Sequence, residues 1–188
     1  MRQIGSVVKT PTLAEKLGTT PHISLLLQKA KRLGLHSPEL LESLAVARGC
    51  WHYRHPDMVP APALSESEFS NEELALVLLS LCLPYSPHTI RVGAAMLGAV
   101  GNDIAVLKRL AVTERCVPAV RYIAAGGLQF EPENPFWRRL LDQLPEAQPV
   151  KDGVMPHPTR FVAMTGFTRK GPGLVVEWQR PGRPAAAT

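Results

Sequence analysis

The sequence predicts a mainly α protein built of short helix pairs, with extra helices before them and a small β-hairpin after them. A motif near the middle of the chain recurs after about thirty residues, because Ile90-Arg91-x-x-Ala94-Ala95 returns as Val120-Arg121-x-x-Ala124-Ala125. Self-similarity at such a period is typical of stacked supersecondary units, each of which covers an apolar face of its neighbour. The 18 prolines and the low aromatic content of 6% suit short helices that approach one another closely.

Residues 1–49 predict three short helices. Thr12 stands three residues before a glutamate, which is the spacing of a capping box, and Gly18 is suited to end that first helix. The second helix is predicted to end at Gly34. Ser37-Pro38 then opens the third helix, with serine as the N-cap and proline in the first turn.

Residues 50–70 predict a long proline-rich loop that covers one end of the helical array. Residues 71–145 predict two full helix pairs and a fifth, capping helix. The first of these helices is expected to have Asn71 as its N-cap. The other four are expected to begin at Ser86-Pro87, Asn102-Asp103, Pro118 or the residue before it, and Asn134-Pro135. Pro84 is expected to end the first of them and Pro145 the last.

Residues 146–188 differ in character, being rich in proline and glycine. The β-prone segments RFVAMTGF and GLVVEWQR flank the turn sequence TRKGPG, which predicts a two-stranded hairpin within residues 159–180. A lone hairpin is too small to be stable, so we expect it to pack against the helices. The final residues, PGRPAAAT, are predicted to be loose.

The repeated segment resembles the short HEAT repeats of phycobilisome lyases and related bacterial proteins, over roughly residues 71–144. The elements of that pattern stand at Ile90-Arg91, Ala94-Ala95, Leu97-Gly98 and Gly101-Asn102-Asp103, ahead of an apolar helix. The second copy departs from the pattern at Gly126-Gly127. The resemblance implies a short HEAT-like α-solenoid, a fold that serves scaffolds, adaptors and a few enzymes.

The resemblance also suggests which residues stack the repeats. The family's matching arginine bonds to acidic groups or carbonyls of the neighbouring repeat, which gives that role to Arg91 and Arg121; the alternative is that they bind a partner. The paired alanines allow helices to approach closely. The remaining stacking candidates are the alanines and the turn residues, namely Ala94, Ala95, Ala124, Ala125, Asn102 and Asp103.

Two basic pairs, Lys108-Arg109 and Arg138-Arg139, occupy equivalent positions on helices one repeat apart. Stacking would place them on one edge as a stripe suited to a phosphate backbone or an acidic peptide. The alternative is a solvated helix face whose charge is balanced by acidic neighbours, Asp103, Glu114 and Asp142. Residues 101–150 have no net charge, which favours that alternative.

Aromatic and metal-binding residues cluster just after the third helix. Trp51 and Tyr53 are expected to form an aromatic contact patch in the loop, either packed on the end of the helical array or offered to a partner. Cys50, His52 and His55 could ligate a metal. Zinc sites usually have four ligands, however, and the sequence shows no second pair of ligand residues. We therefore predict no metal and no cofactor. No nucleophile, phosphate-binding or dinucleotide signature is found, so no catalytic residue is assigned.

The charge distribution and the cysteine content indicate the cellular compartment in which the protein is expected to work. The chain has a net charge of +5, with basic ends and a near-neutral repeat region. Its three cysteines are far apart, which favours reduced thiols, and we see no secretory signal, so a cytoplasmic, soluble protein without membrane contact is expected. Residues 12–35 also resemble a helix-turn-helix, with Ile23 and Leu27 on the buried face of the second helix. The favoured alternative is that these two short helices pack against the repeats.

The leading functional hypothesis is a non-catalytic, protein-binding adaptor that uses the inner helix face and the basic edge. The alternative is a nucleic-acid-binding protein that uses the N-terminal helices, the basic stripe and the basic tail. A third hypothesis, a lyase- or glycosylase-like enzyme, rests on analogy of fold alone. The oligomeric state and the partner's identity do not follow from the residues.

Overall fold

A computed structural model describes residues 9–20, 22–165 and 175–182. The predicted mainly α class is confirmed, because the described residues form eight α-helices and one two-stranded antiparallel sheet. The helices are α1 Leu13–Leu17, α2 Leu25–Arg32, α3 Pro38–Ala47, α4 Asn71–Leu78, α5 Pro87–Leu97, α6 Ile104–Thr113, α7 Val117–Phe130 and α8 Pro135–Gln143. The strands are β1 Val162–Thr165 and β2 Val175–Trp178, and short 3₁₀ turns span Trp51–Tyr53 and Pro158–Phe161.

Local capping chemistry sets most of the helix starts. Thr12 and its partner glutamate form the predicted capping box, and Gly18 ends α1 in the left-handed region at φ +70°. Ser37 and Ser86 each accept a hydrogen bond from a first-turn N–H and are each followed by proline. Asn134 caps α8 in the same way. Each cap satisfies a backbone donor that the helix cannot satisfy itself.

Some predicted helix boundaries were wrong. Ser70 caps α4 through a capping box, so Asn71 is the first residue inside the helix. This helix ends at Leu78 and not at Pro84, because the chain turns early and buries Leu81 and Leu83 beside α1. There the first two N–H groups of α1 donate to the carbonyls of Leu83 and Leu81, at 3.1 and 2.9 Å.

The helices pack in a regular order. Along one layer α2, α4, α6 and α8 are successive neighbours, while α3 and α5 lie behind α4 and α7 lies against both α6 and α8. The core runs continuously through this array, and every residue from Leu74 to Leu79 is buried. None of the described helices combines the length and the apolarity that crossing a bilayer requires.

The chain after α8, which we call the C-terminal segment (residues 146–165 and 175–182), runs back across the helices. The hydroxyls of Tyr122 and Tyr85 donate to its carbonyls at Pro156 and Val154, at 3.1 and 2.7 Å. Its 3₁₀ turn then contacts both α5 and α7. The N–H of Gly182 donates to the Gly49 carbonyl after α3. The segment thus crosses the face of the array formed by α7, α5 and α3.

The hairpin pairs within the chain, with Val162 opposite Trp178 and Thr165 opposite Val175. The predicted turn, TRKGPG, and the loose end after Gly182 lie outside the described residues. Trp178 fills the space between α5 and α7. Its indole N–H donates to the Ala94 carbonyl at 3.1 Å, and its ring centroid lies 4.7 Å from that of Trp137.

Two glycines make room for these rings. A Cβ at Gly98 would lie 2.7 Å from the Trp178 ring, and one at Gly127 would overlap the Trp137 ring. Both tryptophans are almost fully buried, so neither ring has open space into which it could move. Gly127, where the second copy of the motif departs from the first, therefore has a packing reason in this chain.

Candidate functional site

Two surfaces of the fold carry the features that the sequence singled out. The first is the basic face, which we define as Lys108, Arg109, Arg138 and Arg139. All four side chains are exposed on the neighbouring helices α6 and α8. The preceding residues, Leu107 and Trp137, are both fully buried. The two helices therefore present their cations with the same orientation relative to the core.

The basic face lacks most of the neutralising partners that the sequence suggested. Glu114 is only 1% exposed and its Oε1 accepts a hydrogen bond from the Leu26 N–H at 3.0 Å, so it faces the start of α2. Asp103 caps α6 by accepting from the Ala105 N–H at 2.7 Å. Asp142 is exposed on α8 but forms no ion pair within the described part of the chain. The same holds for the four cations themselves.

The two equivalent arginines have different contacts. Arg121 donates from Nη1 to the carbonyls of Leu141 and Leu144, both at 3.2 Å, and so satisfies the C-terminal end of α8. Arg91 donates to the Arg160 carbonyl at 3.1 Å and lies over the Tyr53 ring. One arginine thus joins α7 to the next helix, and the other joins α5 to the C-terminal segment.

The other residues with a proposed stacking role are placed as follows. Ala94, Ala95 and Ala124 are buried between helices, whereas Ala125 lies on the exposed side of α7. The Asn102 amide donates to two carbonyls at the end of α5, at 2.9 and 3.0 Å. The Asp103 N–H donates to Glu72 Oε1 of α4 at 2.7 Å, which ties the start of α6 to the start of α4.

The second surface lies beside Trp51. Trp51 is 41% exposed, whereas the other two tryptophans are buried. Tyr53, which we predicted to form one contact patch with Trp51, is only 5% exposed, and its hydroxyl donates to Gln179 Oε1 at 3.0 Å. The 3₁₀ turn points the two rings in different directions, so Tyr53 anchors the turn and Trp51 alone faces outward. Burial raises the pKa of Tyr53 to about 12.

Trp51 lines a groove of about 680 Å³ between α3 and the following loop, which we call the Trp51 groove. Val46 and Ala47 form its helical wall, and Met58–Ala61 form its loop wall. Its polar lining residues are Ser43, Arg54 and His55, and none of its lining residues is acidic. The sequence indicated Trp51 and His55 as candidates but not the groove that they line, although the alternation of apolar residues and prolines in MVPAPA was a usable signal.

The loop that forms this groove is held firmly at its far end. Arg48, at the end of α3, donates to the carbonyls of Leu64 and Phe69 and to the Asn71 side chain. Prolines at 56, 60 and 62 restrict the backbone between these points. The groove therefore needs little ordering before it can bind a ligand.

The metal-ligand candidates do not converge. Cys50 is fully buried with its Sγ 3.5 Å from Met96 Sδ, while His52 and His55 are exposed. Burial raises the pKa of the Cys50 thiol to about 12, so it stays protonated at neutral pH. In the described part of the chain, no three His, Cys, Asp or Glu side chains lie close enough to hold a metal ion.

A polar cluster links α3 to α5 behind the groove. The buried carboxylate of Glu42 accepts a hydrogen bond from the Thr89 hydroxyl and lies 3.7 Å from His88 Nε2. Tyr53 packs edge-on against His88. Burial and the nearby Arg91 lower the pKa of His52, which contacts the same tyrosine ring. These contacts join two helices and a turn.

The helix-turn-helix interpretation is wrong in its buried face, because Ile23 is 75% exposed. Leu27 is half-buried. The first helix, α1, bonds to the connection between α4 and α5, while α2 packs on α4.

Comparison of this chain with known protein families, with curated proteins and with solved structures found no match. The resemblance to short HEAT repeats stays a prediction. The two surfaces described above are the features of the molecule that bear on its function.

Proposed function

We propose that this protein is a non-catalytic adaptor that binds a short segment of a partner protein in the Trp51 groove. The observation that carries the proposal is the half-exposed Trp51 beside an apolar groove with a pre-ordered wall. Tryptophan and arginine are the residues most enriched among binding hot spots. The volume of about 680 Å³ falls within the range of roughly 300–1,000 Å³ for ligand pockets.

The residues that line the Trp51 groove favour an apolar peptide segment that also carries acidic residues. Val46, Ala47 and Met58 offer an apolar floor, whereas Arg54 is exposed and forms no ion pair within the described residues. Because the lining contains no carboxylate, a partner's Asp or Glu meets only positive or neutral groups there. A basic segment would gain no such contact.

The loop wall favours an extended peptide over a small molecule. The N–H groups of Val59 and Ala61 donate to no other residue in the described ranges, and Val59 is 56% exposed. An extended peptide lying along this wall could accept hydrogen bonds from them, as peptides do along an open strand edge. Affinity would then come from the backbone and specificity from the Trp51 contact.

In this proposal, the helical array is the scaffold that holds the Trp51 groove. We take the pairs α4–α5 and α6–α7, closed by α8, as a short HEAT-like solenoid. The inner face expected to bind a partner is crossed by the C-terminal segment, with Trp178 buried between α5 and α7. That contact favours the Trp51 groove as the partner site, because it leaves the groove open.

A selection of random 12-residue peptides displayed on phage, carried out against the intact protein, tests this proposal. We expect acidic, apolar peptides to be enriched, and Trp51→Ala to weaken them about 30-fold or more, as removal of a tryptophan hot spot does. Arg54→Ala should weaken them less, and only for peptides with an acidic residue. Val100→Ala is a matched control, since Val100 is 86% exposed between α5 and α6.

The outcomes separate clearly. The proposal fails if the selection enriches no sequence, or if the enriched peptides bind Trp51→Ala and the parent protein equally well. It also fails if the enriched peptides are basic. Fluorescence anisotropy with the labelled peptides gives the affinities, and circular dichroism shows that each variant is folded.

A further inference from the structure

We propose that the basic face, Lys108, Arg109, Arg138 and Arg139, is a second and separate site that binds the phosphate backbone of duplex nucleic acid. The four side chains are exposed and form no ion pair among the residues that the structure describes. An unpaired cation has no internal partner to give up when it binds a phosphate. Three of the four are arginines, whose flat guanidinium donor array binds phosphate through two parallel hydrogen bonds.

The arrangement of α6 and α8 suits the phosphate backbone of a duplex. Since α6 and α8 are packed neighbours, their axes lie about 8–10 Å apart, and each helix presents two successive cations toward solvent. The equivalent burial of Leu107 and Trp137 keeps the two pairs in the same orientation. Such a surface has two rows of charge, which can follow the phosphates of one strand or reach both strands across a groove.

The acidic residues nearby strengthen this assignment. Glu114 is buried against the start of α2, and Asp103 is occupied as the cap of α6. Asp142 is exposed on α8, and Asp103 is exposed although its carboxylate caps α6, so of the three acids that the sequence placed against the stripe only Glu114 is withdrawn from the surface. The local surface is therefore more positive than the zero net charge of residues 101–150 suggests.

A duplex fits this face better than a single strand or a protein. Single-strand binding relies on exposed aromatic rings for base stacking, but Trp137 is fully buried, Phe136 is half-buried, and α6 has no aromatic residue. A protein interface would need an apolar centre, and the only large exposed apolar residue of α6 is Val112. The expected binding is to phosphates and so independent of base sequence.

The test is fluorescence anisotropy of a labelled 24-base-pair duplex titrated with the intact protein at several salt concentrations. Four phosphate contacts give the logarithm of the affinity a slope of about −3.6 against the logarithm of salt, which is about 150-fold between roughly 50 and 200 mM. The variant with all four residues changed to alanine should lose a slope of about 3.6 and bind at least 100-fold more weakly at the lower salt.

A matched control removes four positive charges elsewhere, with Lys9, Lys16, Lys151 and Arg160 changed to alanine; all four are exposed in the structure. It should keep the parent's slope to within about one unit. Trp51→Ala should bind the duplex normally, so failure of the adaptor proposal and failure of this one are distinguishable.

Three results would overturn the proposal. They are no duplex binding at about 50 mM salt, equal binding by the basic-face variant and the parent, and tighter binding of a single strand of the same length than of the duplex. Because all four substitutions are on exposed helix positions and alanine favours helices, the variant should remain folded, which its unfolding midpoint in urea would confirm.

Discussion

Replacing Trp178 with alanine tests whether the C-terminal segment is part of the core. Trp178 is 1% exposed, and its ring packs against Trp137 and Phe161, with centroids 4.7 and 5.4 Å away. Deleting a fully buried tryptophan leaves a large cavity and costs about 3–5 kcal/mol. The lost indole N–H adds little, because the Ala94 carbonyl that accepts it also accepts from the Gly98 N–H at 3.2 Å.

We therefore expect Trp178→Ala to lower the free energy of unfolding by about 4 kcal/mol. A protein of this size has about 5–15 kcal/mol in total, so the variant should fold but unfold at much lower urea concentration. The assay is equilibrium unfolding in urea followed by circular dichroism at 222 nm. Trp51→Ala is the matched control, since the same residue type is there 41% exposed and should cost about 1 kcal/mol or less.

A second measurement tests the contact itself. In a double-mutant cycle, Trp178→Ala and Trp137→Ala should be non-additive by about 0.5–3 kcal/mol because the two rings touch. If Trp178→Ala costs less than about 1 kcal/mol, or if the two effects simply add, then the second strand does not pack between α5 and α7 and the reasoning is refuted.

The remaining predictions concern packing, thiol reactivity and pH. Gly127→Ala should destabilise the protein by about 1–3 kcal/mol in urea unfolding, because the new Cβ would overlap the buried Trp137 ring. Of the three free cysteines only Cys82 is not fully buried, so a disulfide reagent at pH 8 should modify one thiol in the native protein and three in urea. Burial raises the pKa of the Glu131 carboxyl, but hydrogen bonds from Arg180 and two other donors outweigh it and lower the pKa below 4.5. Glu131 thus stabilises the fold above its unfolded pKa and loses that effect as pH falls through its folded one, so Glu131→Gln should show a flatter loss of stability below about pH 4.5.

Each of these has a clear contrary result. Wild-type stability in Gly127→Ala would mean that the Trp137 ring can move. Rapid modification of two or three thiols in the native protein would contradict the burial of Cys50 and Cys116, whose thiol pKa values are raised by that burial. An unchanged acid-unfolding curve for Glu131→Gln, followed by circular dichroism between about pH 3 and 6, would remove its carboxylate from the causes of acid sensitivity.

Local features of the fold were predictable from the sequence because their causes are local. The caps at Thr12, Ser37 and Ser86 depend on a side chain and an N–H within three residues, so their spacing identifies them. The end of α4 was not predictable in this way. Leu81 and Leu83 continue the apolar run after the helix stops, because they are buried by α1, which is distant in sequence.

The candidate surfaces were only partly predictable for the same reason. The basic face follows from the helical period, since Lys108 and Arg138 each come directly after a residue that faces the core. The difference in exposure between Trp51 and Tyr53 depends on the contact of Tyr53 with Gln179, which lies 126 residues further along the chain. A single sequence does not reveal such long-range contacts, and so it could not say which of the two rings stays exposed.

The long return path of the C-terminal segment has a consequence for synthesis of the protein. The indole of Trp178 donates to a carbonyl of α5 that is made 84 residues earlier. Trp178 is also made 48 residues after Phe130, the last residue of α7, so at a translation rate of about 5–20 residues per second the gap between α5 and α7 stays empty for about 2–10 s on the ribosome. During that interval the nascent helices expose apolar surface to chaperones and to neighbouring chains, and ribosome-bound chains that stop short of Trp178 should be the aggregation-prone species.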